Sequence, residues 1–324
     1  MSRPFRILHL VDADASEDTL RAIDHLVRGQ SQSDCVHMLH RMDGGGRFAT
    51  VSCDIRVSHL QLTGRSVSSL LRMRALGGAA PLAHMEHTFS KSYFDHTCSG
   101  WAPRSGLLKM AYRLFDRVLA VSKAQYTWLR DTQLVPQDRL YVIPPDSCRA
   151  AYRALPRPTG PVRVVGAIGR FHEQQGFDIL VKAFRSLPQP DIRLMLCGEG
   201  PDKPRLQDFA NGDPRIRFHR GTYPVTSMAE IDLLAIPARW QPSGSPALDA
   251  REAGRPVLVS DTDALPDLAI GRIVRDNTPD AWRVALSEVL HAPAQSVPFR
   301  TTPARAGPAW DVMARYLLSR VEAA

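Results

Sequence analysis

The sequence lacks any apolar run that approaches the roughly 20 residues of a transmembrane helix. The apolar stretch near the amino terminus, Ile7 to Val11, is too short for a signal-peptide core and lacks a small-residue cleavage site. We therefore interpret this stretch as a first strand and expect a cytoplasmic protein.

Paired cysteine spacing is also missing. The five cysteines are odd in number, scattered and without a Cys-x-x-Cys pair: Cys35, Cys53, Cys98, Cys148 and Cys197. A disulfide framework or a structural zinc site needs paired spacing. We therefore expect reduced thiols in structural positions.

A block of five or more lysines and arginines is the third absence, although the formal net charge is +8. Without such a block or a reading motif, the charge does not indicate nucleic-acid binding. Basic residues concentrate in the N-terminal half, at Arg65, Arg72, Arg74, Arg104, Lys109, Arg113 and Arg117. This concentration suits either peripheral contact with an anionic membrane, at roughly 1 kcal/mol per side chain, or a solvated basic face.

The 324 residues suit two domains. Short apolar runs alternate with amphipathic stretches, which predicts an α/β fold with parallel sheets. Three prolines and a glycine in Leu155–Pro161 mark a linker, after which the alternation restarts. We predict an N-terminal domain over 1–154, a C-terminal domain over 162–300, and a final helix over 301–324 that packs back on the first domain.

The predicted elements follow from hydrophobic periodicity. The expected strands are Ile7–Val11, Cys35–Leu39, Phe48–Val51, Leu82–Met85, Val118–Val121, Tyr141–Ile143, Val162–Ile168, Ile192–Leu196, Ile216–Phe218, Leu233–Ile236 and Val257–Val259. The expected helices are Glu17–Val27, Val67–Met73, Leu107–Phe115, one capped by Ser122, Asp178–Phe184, Lys203–Phe209, Ala247–Ala253, Pro279–Leu290 and Trp310–Val321. An irregular loop is expected to carry Tyr93, Phe94, His96 and Trp101, which either meet an acceptor or pack beneath the loop.

Three glycine-containing loops follow predicted strands in the second half, at 166–176, 197–201 and 243–245. Ligands of open parallel sheets bind at the carboxyl ends of strands. Glycines let the backbone approach a phosphate there, and a following helix N-terminus favours an anion. Arg170 leaves a strand end and is suited to a bidentate contact with a diphosphate. Taken singly, each loop is better explained as a structural turn.

Together the loops form an ordered set of motifs. The motifs are Val165 to Phe171 with Gln175-Gly176-Phe177-Asp178, Leu196 to Pro201, Ile231 to Pro237, and Arg239 to Gly244 with Asp249 and Gly254 to Val257. This set resembles family 4 glycosyltransferases of the GT-B fold, which pair two Rossmann-like domains across a cleft. The resemblance covers about residues 160–290 and fades in the first half to Ala120–Lys123 and Val142–Pro144.

The resemblance implies transfer of a sugar from a nucleoside-diphosphate donor with retention of configuration and without a metal or other cofactor. It assigns Arg170 to the diphosphate, Gln241 to the transferred sugar and Asp249 to the ribose hydroxyls. Gly169, Gln175 and Gly198 belong to its diphosphate-binding motifs. Its remaining assignments are Ser243, Gly244 and Ser245 around the sugar and phosphate, and His219, Arg220 and Gly221 at the base.

Several residues depart from the family pattern. Gln175 replaces a lysine, Gln241 replaces a glutamate, and Asp249 replaces a longer glutamate. Pro246 removes one backbone N–H near the phosphate-facing turn. Asp12 to Ala15 replaces a glycine pair after the first strand, and Pro145-Asp146 replaces an Asn-Gly pair. Losing a charged partner at a diphosphate costs about 1 to 3 kcal/mol, so a degenerate, binding-only protein is the alternative to an active divergent enzyme.

The sequence His84-Met85-Glu86-His87 follows a predicted strand in the first half. The resemblance suggests that His87 lies near the reacting sugar, and a hydrogen-bonded structural histidine is the alternative. Alternation places His84 and Glu86 on one face of the strand, but no third ligand for a metal is evident.

We therefore expect a retaining transferase that moves a hexose-type sugar to a glycan or lipid-linked acceptor. Family habit suggests surface-glycan or exopolysaccharide assembly, at the inner face of the cell membrane. A nucleotide-sugar epimerase would need a cleft of acids and bases that the sequence does not reveal. The alternative function is a sugar-nucleotide-binding or scaffolding subunit.

Overall fold

The structure of the chain is a computed structural model. The structure describes residues 3–13, 15, 17–28, 34–42, 51–76, 80–97, 102–145, 150–220, 225–267, 272–291 and 306–322. Backbone contacts divide the chain into two compact units. Unit 1 comprises Met1–Cys148 with Ala304–Ala324, and unit 2 comprises Arg149–Pro303.

The strands alternate with helices along the chain, as parallel sheets require. The strands are β1 Phe5–Asp12, β2 Cys35–Met42, β3 Ile55–Ser58, β4 Leu82–Glu86, β5 Arg117–Ala120, β6 Leu140–Val142, β7 Val164–Ile168, β8 Arg193–Cys197, β9 Ile216–His219, β10 Leu233–Ile236, β11 Val257–Ser260 and β12 Arg272–Val274. The helices are α1 Glu17–Val27, α2 Gly64–Leu76, α3 Lys91–Thr97, α4 Ala102–Tyr112, α5 Lys123–Asp131, α6 Ala150–Arg153, α7 Phe177–Arg185, α8 Lys203–Ala210, α9 Val225–Ala229, α10 Ser245–Glu252, α11 Pro279–His291 and α12 Ala306–Glu322.

Each unit contains a six-stranded sheet in which every described pairing is parallel. The order is β2-β1-β3-β4-β5-β6 in unit 1 and β12-β11-β10-β7-β8-β9 in unit 2. Each order reverses direction once, at β1 in unit 1 and at β7 in unit 2, so the crossover helices lie on both faces of each sheet. The predicted α/β fold with two parallel sheets is confirmed.

The sheet of unit 1 separates two apolar cores. Leu8 and Leu10 of β1 belong to one core, together with Tyr112 of α4 and Trp128 of α5. Ile7 points to the other core, which includes Trp310 of α12. Alternate residues of a strand point to opposite faces, and this explains how one short strand supplies both cores.

Helix α12 is part of unit 1. Trp310 is fully buried, and the Arg117 guanidinium lies 4.0 Å from the centre of the Tyr316 ring. The Asp311 carboxylate accepts a hydrogen bond of 2.9 Å from the backbone N–H of Asp34. Among the described helices, none has the length and apolarity needed to cross a bilayer.

The linker adjoins unit 2 through a buried arginine. Arg255 is 2% exposed, and its guanidinium donates hydrogen bonds to the carbonyls of Ile231, Ala253 and Pro156. Tyr152 of α6 is buried in the core of the same unit. The residues just before the linker thus fold with unit 2 rather than with unit 1.

Local structure differs from the sequence-based expectations at several places, and helices α6 and α9 and strand β12 were not expected. Strand β3 was also not expected. Of the expected strand Phe48–Val51, residues 48–50 lie outside the described residues, and Val51 belongs to no strand. The residues Tyr93, Phe94 and His96 belong to helix α3, so the expected irregular loop is wrong there, and Trp101 lies outside the description. The predicted cap is confirmed, since Ser122 Oγ accepts a hydrogen bond from the N–H of Gln125.

Candidate functional site

Three strand ends of unit 2 are joined by backbone hydrogen bonds. Ile168, the last residue of β7, pairs with Cys197, the last residue of β8. The N–H of Gly169 donates to the Cys197 carbonyl at 3.0 Å, and the N–H of Gly198 donates to the His219 carbonyl at 3.1 Å. The residues that follow β7, β8 and β9 therefore form one continuous backbone surface at the carboxyl edge of the sheet.

Gly198 is a glycine for steric reasons. Its φ is +151°, and a Cβ at this position would overlap the carbonyl oxygen of Gly169. Any larger residue would push the two loops apart. The two glycine loops predicted from the sequence are thus packed directly against each other.

Arg170 follows this paired edge with its side chain exposed. Within the described ranges, no residue accepts a hydrogen bond from its guanidinium or forms an ion pair with it. An exposed guanidinium that follows the carboxyl end of a strand suits a bidentate contact with an anionic ligand. The structure therefore leaves this positive charge available.

Gln175 occupies a different environment. It ends the short 3₁₀ helix Glu173–Gln175, and its side chain is 7% exposed. Its amide packs against the Cα of Gly169, because a Cβ there would lie 3.1 Å from Gln175 Oε1. Gln175 is thus next to the β7 loop, and its amide carries no charge.

A bidentate ion pair joins two of the sequence motifs. The guanidinium of Arg239 donates two hydrogen bonds of 2.8 Å to the two carboxylate oxygens of Asp178. Burial favours a higher pKa for Asp178, but the hydrogen bond and charge of Arg239 outweigh it and lower that pKa. The pair fixes the start of α7 to the loop that follows β10, and the sequence analysis did not foresee it.

Gln241 lies in that same loop. Its side chain is 5% exposed, its N–H donates to Asp263 at 2.9 Å, and its buried Oε1 has no hydrogen-bond partner among the described residues. A buried unpaired oxygen is costly unless a ligand supplies a donor. The Oε1 atom of Gln241 is therefore suited to accept a hydrogen bond from a bound ligand.

Helix α10 begins directly after this loop. Gly244 has φ of +61° and precedes the first helical residue, and the hydroxyls of Ser243 and Ser245 are 3.4 Å apart. Pro246 lies in the first turn, where its missing N–H breaks no intrahelical bond. Asp249 lies one turn further along the helix and is 4% exposed.

The residues expected at the nucleotide base lie at the end of β9. His219 and Arg220 are exposed. Arg220 Nε is 3.6 Å from a carboxylate oxygen of Glu199, and Lys203 Nζ is 3.2 Å from the same atom. Gly221 lies outside the described residues.

In unit 1, the motif His84-Met85-Glu86-His87 divides between the two faces of the sheet. On one face, Glu86 accepts hydrogen bonds from Tyr112 Oη at 2.7 Å and from His84 at 3.2 Å. Burial favours a higher pKa for the Glu86 carboxyl, but these hydrogen bonds and the His84 charge lower it overall. This arrangement gives His84 and Glu86 a structural role beneath β4.

His87 lies on the other face and is partly exposed. Its Nε2 lies 2.8 Å from His59 Nδ1, and the two rings are stacked with centroids 5.1 Å apart. His59 was not singled out in the sequence. Among the described side chains, no group of three or more His, Cys, Asp or Glu is arranged to hold a metal ion.

Comparison with known proteins agrees with this architecture. Residues 162–292 match the family model described as glycosyl transferases group 1, and residues 47–145 match that of glycosyltransferase family 4. D-inositol 3-phosphate glycosyltransferases of Corynebacterium glutamicum and Nocardia farcinica are 27% and 26% identical over 75% and 84% of the chain. The chain spans 65% and 66% of the length of these two relatives.

Solved structures share the fold over nearly the whole chain. Sucrose-phosphate synthase from Thermosynechococcus elongatus superposes with a TM-score of 0.68 at 15% identity, covering 98% of this chain and 94% of the other. Anabaena HepE, in complex with UDP and glucose, gives 0.67 at 14% identity, with 98% and 97% covered. The chain therefore contains a domain of the group 1 glycosyltransferases and a domain of glycosyltransferase family 4, and it has the GT-B fold.

Proposed function

We propose that the protein is a retaining glycosyltransferase that takes a sugar from a nucleoside diphosphate and transfers it to a glycan or lipid-linked acceptor. The observation that carries this proposal is the exposed Arg170 guanidinium, which has no partner among the described residues and follows strand ends paired through Gly169 and Gly198. Structural neighbours determined with UDP support a nucleotide-sugar donor.

In the proposed reaction, the bond between the sugar C1 and the diphosphate oxygen breaks. A bond from the acceptor hydroxyl oxygen to C1 forms on the same face of the sugar, and the leaving diphosphate takes up the hydroxyl proton. Arg170 and the amino end of α10 stabilise the negative charge that develops on the leaving diphosphate. The resemblance implies that no metal ion takes part.

Gln241 and Asp249 orient the donor in this proposal. The unpaired Oε1 of Gln241 accepts a hydrogen bond from a sugar hydroxyl. The Asp249 carboxylate accepts from the ribose hydroxyls. Ser243, Gly244 and Ser245 surround the sugar and phosphate, and His219 lies at the base.

A second function, nucleotide-sugar binding without transfer, is favoured by one observation. Gln175 packs against Gly169 without contributing a charge, so the loop after β7 offers a diphosphate the positive charge of Arg170 without that of a lysine at position 175. Fewer positive charges at a diphosphate lower the stabilisation of the leaving group. Binding of a nucleotide sugar without either transfer or hydrolysis would favour this second function.

Peripheral contact with an anionic membrane is proposed for unit 1. Lys109 of α4 and Arg113, the first residue after the end of α4, are called the basic pair of α4. They line a cavity of about 320 Å³ that Arg130 and Arg139 also line. Exposed Leu107 and Met110, 49% and 67% accessible, lie on the same helix. Basic residues beside exposed apolar residues are typical of a helix that lies at a membrane surface. Surface-glycan or exopolysaccharide assembly is the proposed context.

Two of the other basic residues have structural roles. Arg74 forms a bidentate pair with Asp116, with hydrogen bonds of 2.6 and 2.8 Å, and Arg117 stacks on Tyr316. The side chains of Arg65 and Arg104 lie outside the description. The membrane proposal therefore depends on α4 rather than on the net charge.

Isothermal titration calorimetry with uridine, guanosine, adenosine and thymidine diphosphates tests the donor site. We expect one nucleotide to bind, and Arg170→Ala to weaken its affinity by about tenfold to a hundredfold, since a charged hydrogen bond contributes about 1.5 to 3 kcal/mol. Arg193→Ala is the matched control, because Arg193 is exposed at the opposite end of the same sheet. Equal affinities of the two variants would contradict the proposed site.

A further inference from the structure

Asp263 has a backbone conformation that is unusual for a residue with a side chain. It lies in the loop after β11, and its φ is +45°. The N–H of Leu265 donates to the carbonyl of Thr262 at 3.0 Å, so Asp263 and Ala264 are the central residues of a tight turn. Glycine adopts a positive φ without steric cost, whereas an aspartate brings strain together with a carboxylate.

The carboxylate of Asp263 joins this turn to the loop that holds Gln241. Oδ2 of Asp263 accepts a hydrogen bond of 2.9 Å from the N–H of Gln241, and the N–H of Ala264 donates to the carbonyl of Gln241 at 3.3 Å. Ser260 Oγ, at the end of β11, donates to the Ala238 carbonyl at 2.7 Å. Because β10 and β11 are neighbours in the sheet, these three bonds hold their two loops together at its carboxyl edge.

The bond to the Gln241 backbone fixes the position of a negative charge. Gln241 has a buried Oε1 without a partner among the described residues, and the proposed function assigns this oxygen to a hydroxyl of the transferred sugar. The side chain of Asp263 is half-buried, so water screens its charge only in part. The proposed sugar subsite thus combines an uncharged amide from the loop after β10 with a carboxylate from the loop after β11.

A carboxylate at this place distinguishes between two classes of sugar. An uncharged hexose has hydroxyls, which donate hydrogen bonds to a carboxylate. A uronic acid has a carboxylate of its own, which a half-buried aspartate repels. Specificity is a difference between two affinities, and a built-in repulsion is one of the two ways to obtain it.

We propose that Asp263 is a specificity-determining residue of the sugar subsite, where its carboxylate favours uncharged sugars and rejects uronic acids. This proposal rests on the proposed function, because it is a nucleotide-sugar donor that places a sugar beside Gln241. The class of donor that the site takes is then a nucleoside diphosphate of an uncharged hexose.

A purely structural role for Asp263 makes a different prediction, because the hydrogen bond from Gln241 needs an acceptor oxygen but not a charge. Asparagine has nearly the same size, accepts a hydrogen bond through Oδ1, and adopts positive φ values as aspartate does. Asp263→Asn therefore keeps the turn and its link to Gln241 and removes the charge alone.

Calorimetry of the unmodified full chain with UDP, UDP-glucose and UDP-glucuronic acid tests the proposal. UDP is the first nucleotide to use, because structural neighbours were determined with it. We expect UDP-glucose to bind at least about tenfold more tightly than UDP-glucuronic acid. Equal affinities, or tighter binding of the uronic acid donor, would overturn the proposal without depending on the folding of a variant. If the titration with the four nucleoside diphosphates selects another base, the hexose and uronic acid donors of that base replace this pair.

Asp263→Asn should reduce the ratio of the two affinities at least about fivefold, through tighter binding of the uronic acid donor, and leave the affinity for the nucleoside diphosphate unchanged. Asp208→Asn is the matched control, since Asp208 is exposed near the end of α8, a helix that leads back to the start of β9. This control removes the same charge and should keep the ratio. Asp263→Gly, which suits the positive φ, is a second variant that should also reduce the ratio. An unchanged ratio in both Asp263 variants would refute the role of the charge.

The failure of this inference and the failure of the proposed function have different signatures. If none of the four nucleoside diphosphates binds, the proposed function fails, and this inference fails with it. If a nucleoside diphosphate binds and its hexose and uronic acid donors have equal affinities, the proposed donor site stands and the role of Asp263 is wrong.

Discussion

Unit 1 should lose stability between pH 7 and pH 5 because its buried histidines are neutral when folded. The pKa of His87 is lowered to about 4 by burial, against an unfolded value of 6.5. The unfolded chain therefore binds more protons than the folded chain throughout this window. The contribution is fully present above pH 6.5 and is lost as the pH falls towards 4.

The size of the loss follows from that shift. A difference of one pKa unit corresponds to about 1.4 kcal/mol, so His87 alone removes about 2 kcal/mol of unfolding free energy between pH 7 and pH 5. This value is an upper bound, because the ring of His87 is partly exposed and solvent screens its charge. His59 acts in the same direction, since its pKa is also lowered. Glu86 contributes at lower pH, because its lowered pKa affects stability only below its usual value of 4.5.

Hydrogen-exchange mass spectrometry can measure this effect separately in each unit. After correction for intrinsic exchange, the opening free energy of β4 should fall between pH 7 and pH 5, and that of β8 in unit 2 should change much less. His87→Gln keeps a nitrogen or oxygen near the Nε2 position but does not titrate, so it should abolish most of the fall. An equal fall in this variant, or a pH-independent β4, would refute the reasoning.

Three further predictions concern unit 2 and helix α4. Asp178→Asn removes the charge that pairs with Arg239 and should destabilise unit 2 by about 2 to 3 kcal/mol in urea unfolding. A double variant with Asp178→Asn and Arg239→Gln that is no less stable than either single variant would support the pair. Losses of unfolding free energy that add up fully in the double variant would contradict it. Gly198→Ala should separate the β7 and β8 loops and weaken nucleotide binding at least tenfold in calorimetry. The control Gly160→Ala should leave binding unchanged, because Gly160 has open space around it. Equal nucleotide affinities of the two variants would contradict the steric argument. Replacing both residues of the basic pair of α4 with glutamate should reduce co-sedimentation of the protein with vesicles of anionic phospholipid. Arg193→Glu serves as the control. Unchanged co-sedimentation of the double variant would contradict the membrane proposal.

The sequence predicted the elements that have strong local signals. The proline-rich linker, the Ser122 cap and the glycine-bearing ends of β7 and β8 all combine short spacing with a definite backbone requirement. The α/β class followed from alternation along the chain. These features depend on residues close together in sequence, and periodicity is most informative for such residues.

Two elements of unit 1 escaped prediction because their signals conflict with the usual patterns. Strand β3 contains Arg56, which is 6% exposed because its guanidinium donates to the Ala80 carbonyl. A charged residue within four positions hides the apolar character of a buried strand. Helix α3 has seven residues, of which Phe94 is buried, and that length is too short for a clear helical period.

The difference between the two units explains why the family resemblance is strong after residue 160 and faint before it. Unit 2 builds its candidate site from backbone at strand ends, where geometry requires glycine at fixed positions and so produces a recognisable motif. Unit 1 places its distinctive chemistry on side chains in and just after four strands, where four histidines are hydrogen-bonded in the order His37, His9, His59 and His87. The bonded histidines are 28, 50 and 28 residues apart, and only the register of the sheet brings them within 3 Å. A pattern with such separations has no local signature, so a polar series inside a parallel sheet has to be found from the fold.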